Sequence, residues 1–573
     1  MSDRVEFTCN GDPVVVDADS GETLLNVLRE RLGLTSAKDG CAPQGQCGCC
    51  TVLVDGDARV ACVTPVVRIA GRAVTTLEGL DPSVSEQLAE AFVITGGSQC
   101  GFCTPGIVMR AAAARAKGKT GRPDLDRALA AHLCRCTGWQ TVYDALEHQG
   151  SEAERDLAGA ARRAALEGAS PQRVGPDVPL GAAGFADDTA PRDALVAVPL
   201  PPGSSSENVE AAGMAWVVGE SLADARARAG KVQGRRTTVE AHPPLSLPEL
   251  PEGGVRLATS WVEPAYLEPD ASWCEPGDEP ASSLANGGAF GGKVGSPVEA
   301  AARELARRYG RVVRTVFARE DVVRLGPKRP PISASAVLVG DRLVVRGRSI
   351  GPLPFPPPAD ARGGGPHRGP NGIELDVGWE VVAAQASGLR PAPSLRAAGL
   401  AELTVLVQGA LEAAGHVTSE PLGDALHDHV VHVPSGAAAA VRVSIDAATG
   451  GIDHVGVTVA AGDPLDDVVL RSYSIGAAHM ALGWVLTEGL AVDPETGDVH
   501  DLTIRSFGII KPKDVPRIDV TIVDATGPPL AASSDAVFAA VAAATWNALA
   551  RAEGERPEMF PALGTRASRM LRR

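Results

Sequence analysis

The sequence has no surplus of basic residues. Its 54 lysines and arginines stand against 70 acidic residues, a formal charge of −16. A polyanion would be repelled, so no nucleic-acid partner is expected. It also has no apolar run of the roughly 20 residues that a membrane helix needs. The most apolar late stretch, Ala536–Ala550, is an alanine-rich helix pattern, and no membrane span is expected. Met1–Asp12 lacks the apolar core of an export signal and reads as a short strand and turn, so a cytoplasmic location is expected. No internal repeat is visible. Cysteine is nearly absent from most of the chain: ten of the eleven lie before residue 137, and only Cys274 lies after. A secreted disulfide protein would spread its pairs through its domains. Tight groups suit metal ligation by thiolates instead.

With 573 residues, 44% apolar and 22% charged, the chain can bury sizeable cores and should form three to four domains. Val5–Cys9 and Val14–Asp17 alternate as two strands around Asn10–Gly11–Asp12. Asp19 and Glu22 have capping-box spacing before an apolar helix stripe that ends at Gly33. Thr51–Val54 and Arg59–Cys62 read as a hairpin around Asp55–Gly56. From about residue 80 the pattern is helical. Ser83 with Glu86 can cap one helix, Thr104 with Pro105 opens another, and Leu125–Leu133 and Val142–His148 follow. Residues 150–175 read as a polar linker on the surface. Beyond Pro179, β-type runs alternate with alanine-rich helices. Leu353–Pro366 is a Pro/Gly-rich loop, and Ala440–Ile445 opens a final region.

Two cysteine constellations carry the chemistry. The first places Cys41, Cys47 and Cys50 in a glycine-rich loop, with Cys62 on the following hairpin. Four thiolates hold a 2Fe–2S cluster, and a glycine-rich loop can aim backbone N–H groups at the sulfurs. The spacing C-x5-C-x2-C is one residue longer than plant-type ferredoxin spacing. Taking Cys50 rather than Cys49 keeps the x2 gap, which leaves Cys49, like Cys9 and Cys274, as a small buried hydrophobe. The second constellation is Cys100-Gly-Phe-Cys103 with Cys134-Arg-Cys136. Four cysteines also make a closed zinc site, the non-redox alternative. Two such groups in succession, one near ferredoxin spacing, favour iron.

The order of a ferredoxin-type loop, then Q-C-G-F-C-T-P-G, then L-C-R-C-T-G-W resembles the iron–sulfur module of the molybdenum hydroxylases. That family comprises xanthine dehydrogenases, aldehyde oxidases and aerobic carbon monoxide dehydrogenases. The resemblance covers residues 1–145 almost continuously. It implies that Cys100, Cys103, Cys134 and Cys136 hold a proximal cluster, that Cys41, Cys47, Cys50 and Cys62 hold a distal one, and that Gln99 lies near a molybdenum cofactor.

Later segments extend the resemblance. Gly287–Lys293 reads G-G-A-F-G-G-K, followed by Ser296, Pro297 and Glu299 in N-cap, N1 and N3 spacing. A glycine loop feeding a helix can meet an anion, and a tight turn is the plain alternative. The family's similar loop touches molybdopterin, which implies cofactor-binding roles for Gly288, Phe290, Gly291 and Gly292. Arg368, in Pro366–Gly369, resembles a second cofactor segment, although the glycine that shapes that loop is missing. Tyr266–Pro269, Asp493–Gly497 and Asp514–Pro516 resemble further family segments. No flavin domain follows the iron–sulfur module, so no FAD is expected. The stretch between Gly415 and Ala440 is too short for the second half of the domain that embraces the pterin, and a G-Q-G grip is missing. The family's catalytic glutamate falls on Asp535, whose plain reading is an exposed helix N-cap; no catalytic residue is assigned.

The expected architecture is multidomain α+β. A β-grasp ferredoxin-like domain (1–78) and a four-helix-bundle domain (79–150) each hold a 2Fe–2S cluster. A linker (151–175) leads to a shortened, mixed α/β molybdopterin-binding-type region in two parts (176–420 and 421–573). The expected function is an electron-transfer oxidoreductase component serving a molybdenum- or flavin-bearing partner subunit or a soluble acceptor. The alternatives are a compact self-contained hydroxylase and a zinc-bound structural module.

Overall fold

The computed structural model describes residues 3–19, 21–41, 43–148, 155–230, 239–284, 286, 288–355, 373–383, 389–416, 429–523 and 526–572. The first unit is a five-stranded mixed sheet in the order Asp12–Ala18, Asp3–Cys9, Ala73–Thr75, Thr51–Val54, Asp57–Val60. The Asn10–Gly11 turn forms as the sequence indicates, both residues having positive φ (54° and 92°). A short helix, Leu24–Asn26, runs into a π-helical turn, Val27–Arg31, and buries Leu24, Leu25, Val27 and Leu28 against the sheet. Its N-cap is Thr23, whose hydroxyl accepts from the Asn26 amide; the Asp19/Glu22 box does not form.

The second unit is helical: α1 (Pro82–Thr95), α2 (Thr104–Arg115), α3 (Arg122–Leu129) and α4 (Gln140–Glu147). Asp81, not Ser83, caps α1, because Pro82 already occupies N1. α2 is buried along most of its length and lies against Thr51–Val54, so the two iron–sulfur units share one apolar core. That core extends to Trp261, Leu267 and Phe507 of the later region.

The expected linker is a correction. Leu157–Gly168 forms a helix, α5, capped by Asp156, that packs Ala160 and Ala164 on Val469 and Tyr473. Ala160 and Ala164 supply its buried apolar face, and the arginines that made the segment read as polar include the fully buried Arg163.

In the later region, α6 (Val298–Tyr309) packs Ala302, Leu305 and Ala306 on the strands Asp270–Cys274 and Val313–Phe317 of one five-stranded sheet. Two further sheets flank α7 (Leu400–Ala413), α8 (Asp467–Leu486) and α9 (Ser533–Glu553). Position 420 does not separate two cores: Met559–Phe560 pairs with Val255–Thr259, and one hydrophobic cluster runs from Val255 to Ala567. α8 is buried on nearly all sides because it lies between that core and the iron–sulfur helices. Among the described residues, no helix is long and apolar enough to cross a membrane.

Candidate redox site

The first thiol set is assembled by the loop preceding Thr51–Val54 and by the turn after Asp57–Val60. Cys41, Cys47, Cys50 and Cys62 are all buried, and none forms a disulfide. They touch in an open chain, Cys50–Cys62–Cys41–Cys47, whose Cys47 end also meets the Cys49 thiol. The Cys62 amide also donates to the Cys50 sulfur at 3.4 Å. Hydrogen bonds from Cys47 and Cys62 pull the Cys41 thiol well below its usual range. Contact with Cys41 in turn pushes Cys47 and Cys62 up. Gly48 has φ +74°, and a Cβ there would meet the His132 ring at 2.4 Å, so only glycine lets this loop approach the helical unit.

The second set is assembled by the start of α2 and by the segment entering α4. Cys103 is the N-cap of α2, and Cys134 and Cys136 precede α4. The Cys100 and Cys136 sulfurs are 3.7 Å apart, and those of Cys134 and Cys136 4.0 Å. Contacts with Cys103 and Cys136 lower Cys134; contact with Cys134 raises Cys103, and contacts with Cys100 and then Cys134 raise Cys136. Gln99 is buried, and its Nε2 donates to the Cys136 carbonyl (2.9 Å) and to the Ser472 hydroxyl (3.0 Å). Arg135, between the two ligand-type cysteines, makes a bidentate pair with Glu488 at 2.5 and 2.7 Å and donates to the Pro264 carbonyl. Sequence reasoning missed Ser472, Glu488 and α5, because their partners are hundreds of residues away in the chain.

The thiols therefore fit iron–sulfur chemistry: two sets of four, buried except for the half-buried Cys100, free of disulfides, each with one member already biased toward thiolate. Cys49 is fully buried and turns its sulfur toward the Cys47 carbonyl at 3.8 Å.

The glycine loop is closed. Ala289 and Phe290 take left-handed conformations (φ 51° and 56°). The Phe290 carbonyl accepts from the Arg396 amide at 3.0 Å, and the Gly291 carbonyl accepts from the Ser394 hydroxyl at 3.0 Å. A Cβ on Gly291 would lie 1.8 Å from the Ser394 carbonyl oxygen, and one on Gly292 would meet the Tyr266 ring at 2.7 Å. Lys293 donates to the Pro269 and Ser283 carbonyls, both at 3.1 Å. The helix starts one residue later than expected, with Pro297 at N-cap; Ser296 accepts weakly from the Val298 amide at 3.5 Å while donating to Asp270, and Glu299 accepts from Ser283. The loop and the proximal thiols enclose a gap of only 10 Å³, lined by Cys100, Cys136, Tyr266 and Phe290 among others. Small-molecule sites measure about 300–1,000 Å³, so the gap between these described residues, as it stands, is far smaller than such a site. Arg368 lies outside the described residues.

Asp535 is likewise not an exposed cap. Ala532 is the N-cap of α9, and Glu167 of α5 accepts from the Ser533 hydroxyl and the Ser534 amide. Asp535 faces Arg396, whose Nε is 3.9 Å from Oδ1, and burial pushes its carboxyl up to about 6. The Arg396 guanidinium also lies 4.9 Å from the Phe290 ring centroid. The glycine loop, Arg396 and Asp535 thus meet at one place.

Three family models match the chain: a 2Fe-2S iron–sulfur cluster binding domain over residues 7–67, a 2Fe-2S binding domain over 76–147, and a molybdopterin cofactor-binding domain over 370–516. The isoquinoline 1-oxidoreductase subunit alpha of Brevundimonas diminuta is 39% identical over 26% of this chain and 99% of its own length. The xanthine dehydrogenase iron-sulfur-binding subunit of Escherichia coli O157:H7 is 41% identical over 24% of this chain and 89% of its own. The aldehyde oxidoreductase of Megalodesulfovibrio gigas is 39% identical over 26% of this chain, which spans 18% of that relative. A solved aldehyde oxidoreductase from Desulfovibrio gigas superposes with TM-score 0.71 and 16% identity over 100% of both chains, a likeness of fold.

Proposed function

This chain belongs to the molybdenum hydroxylase family of oxidoreductases, and from that premise we propose that it is the electron-transfer component of a larger assembly whose molybdenum centre sits on a partner chain. Cys41, Cys47, Cys50 and Cys62 would hold the distal cluster, and Cys100, Cys103, Cys134 and Cys136 the proximal one. Such clusters supply one-electron exchange. The chain's own residues bury the thiols from water, fix the proximal loop through Gln99 and Arg135, and join it to α8. One observation carries the choice of component over complete enzyme: both thiol sets are formed, while the glycine loop is sealed by Ser394–Arg396.

The test is metal and sulfide analysis of the full chain purified from a host that makes molybdopterin. About four irons and four acid-labile sulfides per chain are expected, without molybdenum. A co-purifying chain carrying molybdenum would support the reading directly. Stoichiometric zinc in place of iron would overturn it. A second reading, the compact hydroxylase, is favoured by Asp535, a carboxyl near neutrality beside Arg396. Stoichiometric molybdenum with turnover abolished by Asp535→Ala would decide for that enzyme.

A further inference from the structure

His132 stands between the two thiol sets. It lies just beyond α3, its amide donating to the Leu129 carbonyl at 2.8 Å, and two residues before Cys134. The residue is 1% exposed. Its ring covers Gly48, between Cys47 and Cys49, and its Nε2 lies 3.3 Å from the hydroxyl of Thr51, the residue after Cys50. The Thr51 hydroxyl already donates to the Gly48 carbonyl at 2.7 Å. A carbonyl only accepts, so that proton is committed, and the hydroxyl oxygen must accept from His132. Nε2 therefore carries a proton, and the contact is a bond donated by the second thiol segment to the first. The other ring nitrogen, Nδ1, is buried without a partner among the described residues. A phenyl ring would fill the space without stranding a polar atom, so what the imidazole adds is the Nε2 bond. The start of α2 grips the same loop by shape alone: a Cβ on Gly106 would lie 2.3 Å from the Gly48 carbonyl oxygen.

We propose that His132 is a positioning residue for electron passage between the two clusters. Its Nε2–Thr51 bond fixes the loop that bears Cys47 and Cys50 against the segment that bears Cys134 and Cys136. This role rests on the electron-transfer reading. The Leu133 amide joins the same two segments by donating to the Cys47 carbonyl. One hydrogen bond leaves the loop free to turn about it. A second, anchored on Thr51 at the other end of the Cys47–Cys50 stretch, removes that freedom. Single-electron exchange between two centres slows steeply as their separation grows. A loosened loop would therefore slow exchange and blur the spacing of the clusters without removing either one.

The test is low-temperature EPR of the fully reduced, cluster-bearing full chain with His132 replaced, alongside iron counts. The parent and His132→Gln, whose amide nitrogen can stand where Nε2 does, should give two signals with the same mutual splitting. His132→Phe, which keeps the bulk of the ring, and His132→Ala should keep about four irons per chain and both signals, while the splitting narrows and loses definition. Should His132→Phe not fold, the comparison of His132→Gln with His132→Ala decides. A splitting in His132→Phe equal to the parent's would show that bulk suffices and would overturn the proposal. So would His132→Gln behaving as His132→Ala does, or loss of iron from all three variants, which marks a purely structural residue. A parent chain without iron would overturn the electron-transfer reading itself, before any variant is compared.

Discussion

The Leu133 amide donates to the Cys47 carbonyl across 3.0 Å, so a residue bonded to Cys134 is hydrogen-bonded to a member of the other thiol set. No side chain intervenes in that link. Two paramagnetic centres held this close should feel each other's spins. The fully reduced protein is expected to give two distinguishable EPR signals that split each other at low temperature. In Cys100→Ser one signal and the splitting should vanish while the other signal remains. Two signals with no mutual splitting at any power would show that the clusters are not held as the Leu133–Cys47 bond implies.

Cys49 tests the ligand assignment at single-residue resolution. Its sulfur meets Cys47 at one end of the set, whereas Cys50 touches Cys62 and accepts from its amide. Cys49→Ala should therefore keep both clusters at a modest cost in stability, and Cys50→Ala should lose the distal one. Iron counts and visible spectra of the two variants check this. The reverse pattern would move the ligand by one residue.

Arg135 and Glu488 are both buried, and their bidentate pair fastens the proximal loop to the end of α8. Removing one partner strands a charge in a dry interior, at a cost of about 3–5 kcal/mol. Glu488→Ala should thus destabilise the holo-protein strongly in chemical denaturation. Arg135→Met combined with Glu488→Leu should recover most of the loss, because no charge is then left unpaired. A double variant as unstable as Glu488→Ala would mean that hydrogen bonding to Pro264, rather than the charge pair, dominates.

The iron–sulfur units were legible because their signals are local. Cysteine spacing, the Asn10–Gly11 turn and the Thr104–Pro105 helix start each lie within a few residues. The later strands Ala438–Ile445 and the helix Ser533–Glu553 were legible for the same reason: long, periodic apolar patterns declare themselves. α5 was not legible, since its two buried arginine and glutamate side chains read as solvent-facing until α9 is placed against them. The closure of the glycine loop was hidden too. It depends on Ser394 and Arg396, about a hundred residues further along and without any motif. Caps were misplaced by one to four residues wherever a better oxygen or a proline stood next to the expected one, as at Thr23 and Asp81.

Asp535 makes the fold sensitive to pH in a direction opposite to most carboxylates. Its side chain keeps 33% exposure, yet burial pushes the carboxyl from 3.8 to about 6, against the pull of Arg396 at 3.9 Å. The folded state then binds this proton more tightly than the unfolded state does. Stability from this group is fully present below the unfolded value and is lost as pH rises through about 6. Asp535→Asn keeps the shape of the neutral form and cannot ionise. The variant should therefore have a higher denaturant midpoint than the parent at pH 7.5, with the difference shrinking toward zero near pH 4. Midpoints measured across that range check the sign. A variant less stable than its parent at pH 7.5 would show that the Arg396 ion pair outweighs burial, and that Asp535 stays ionised in the folded protein.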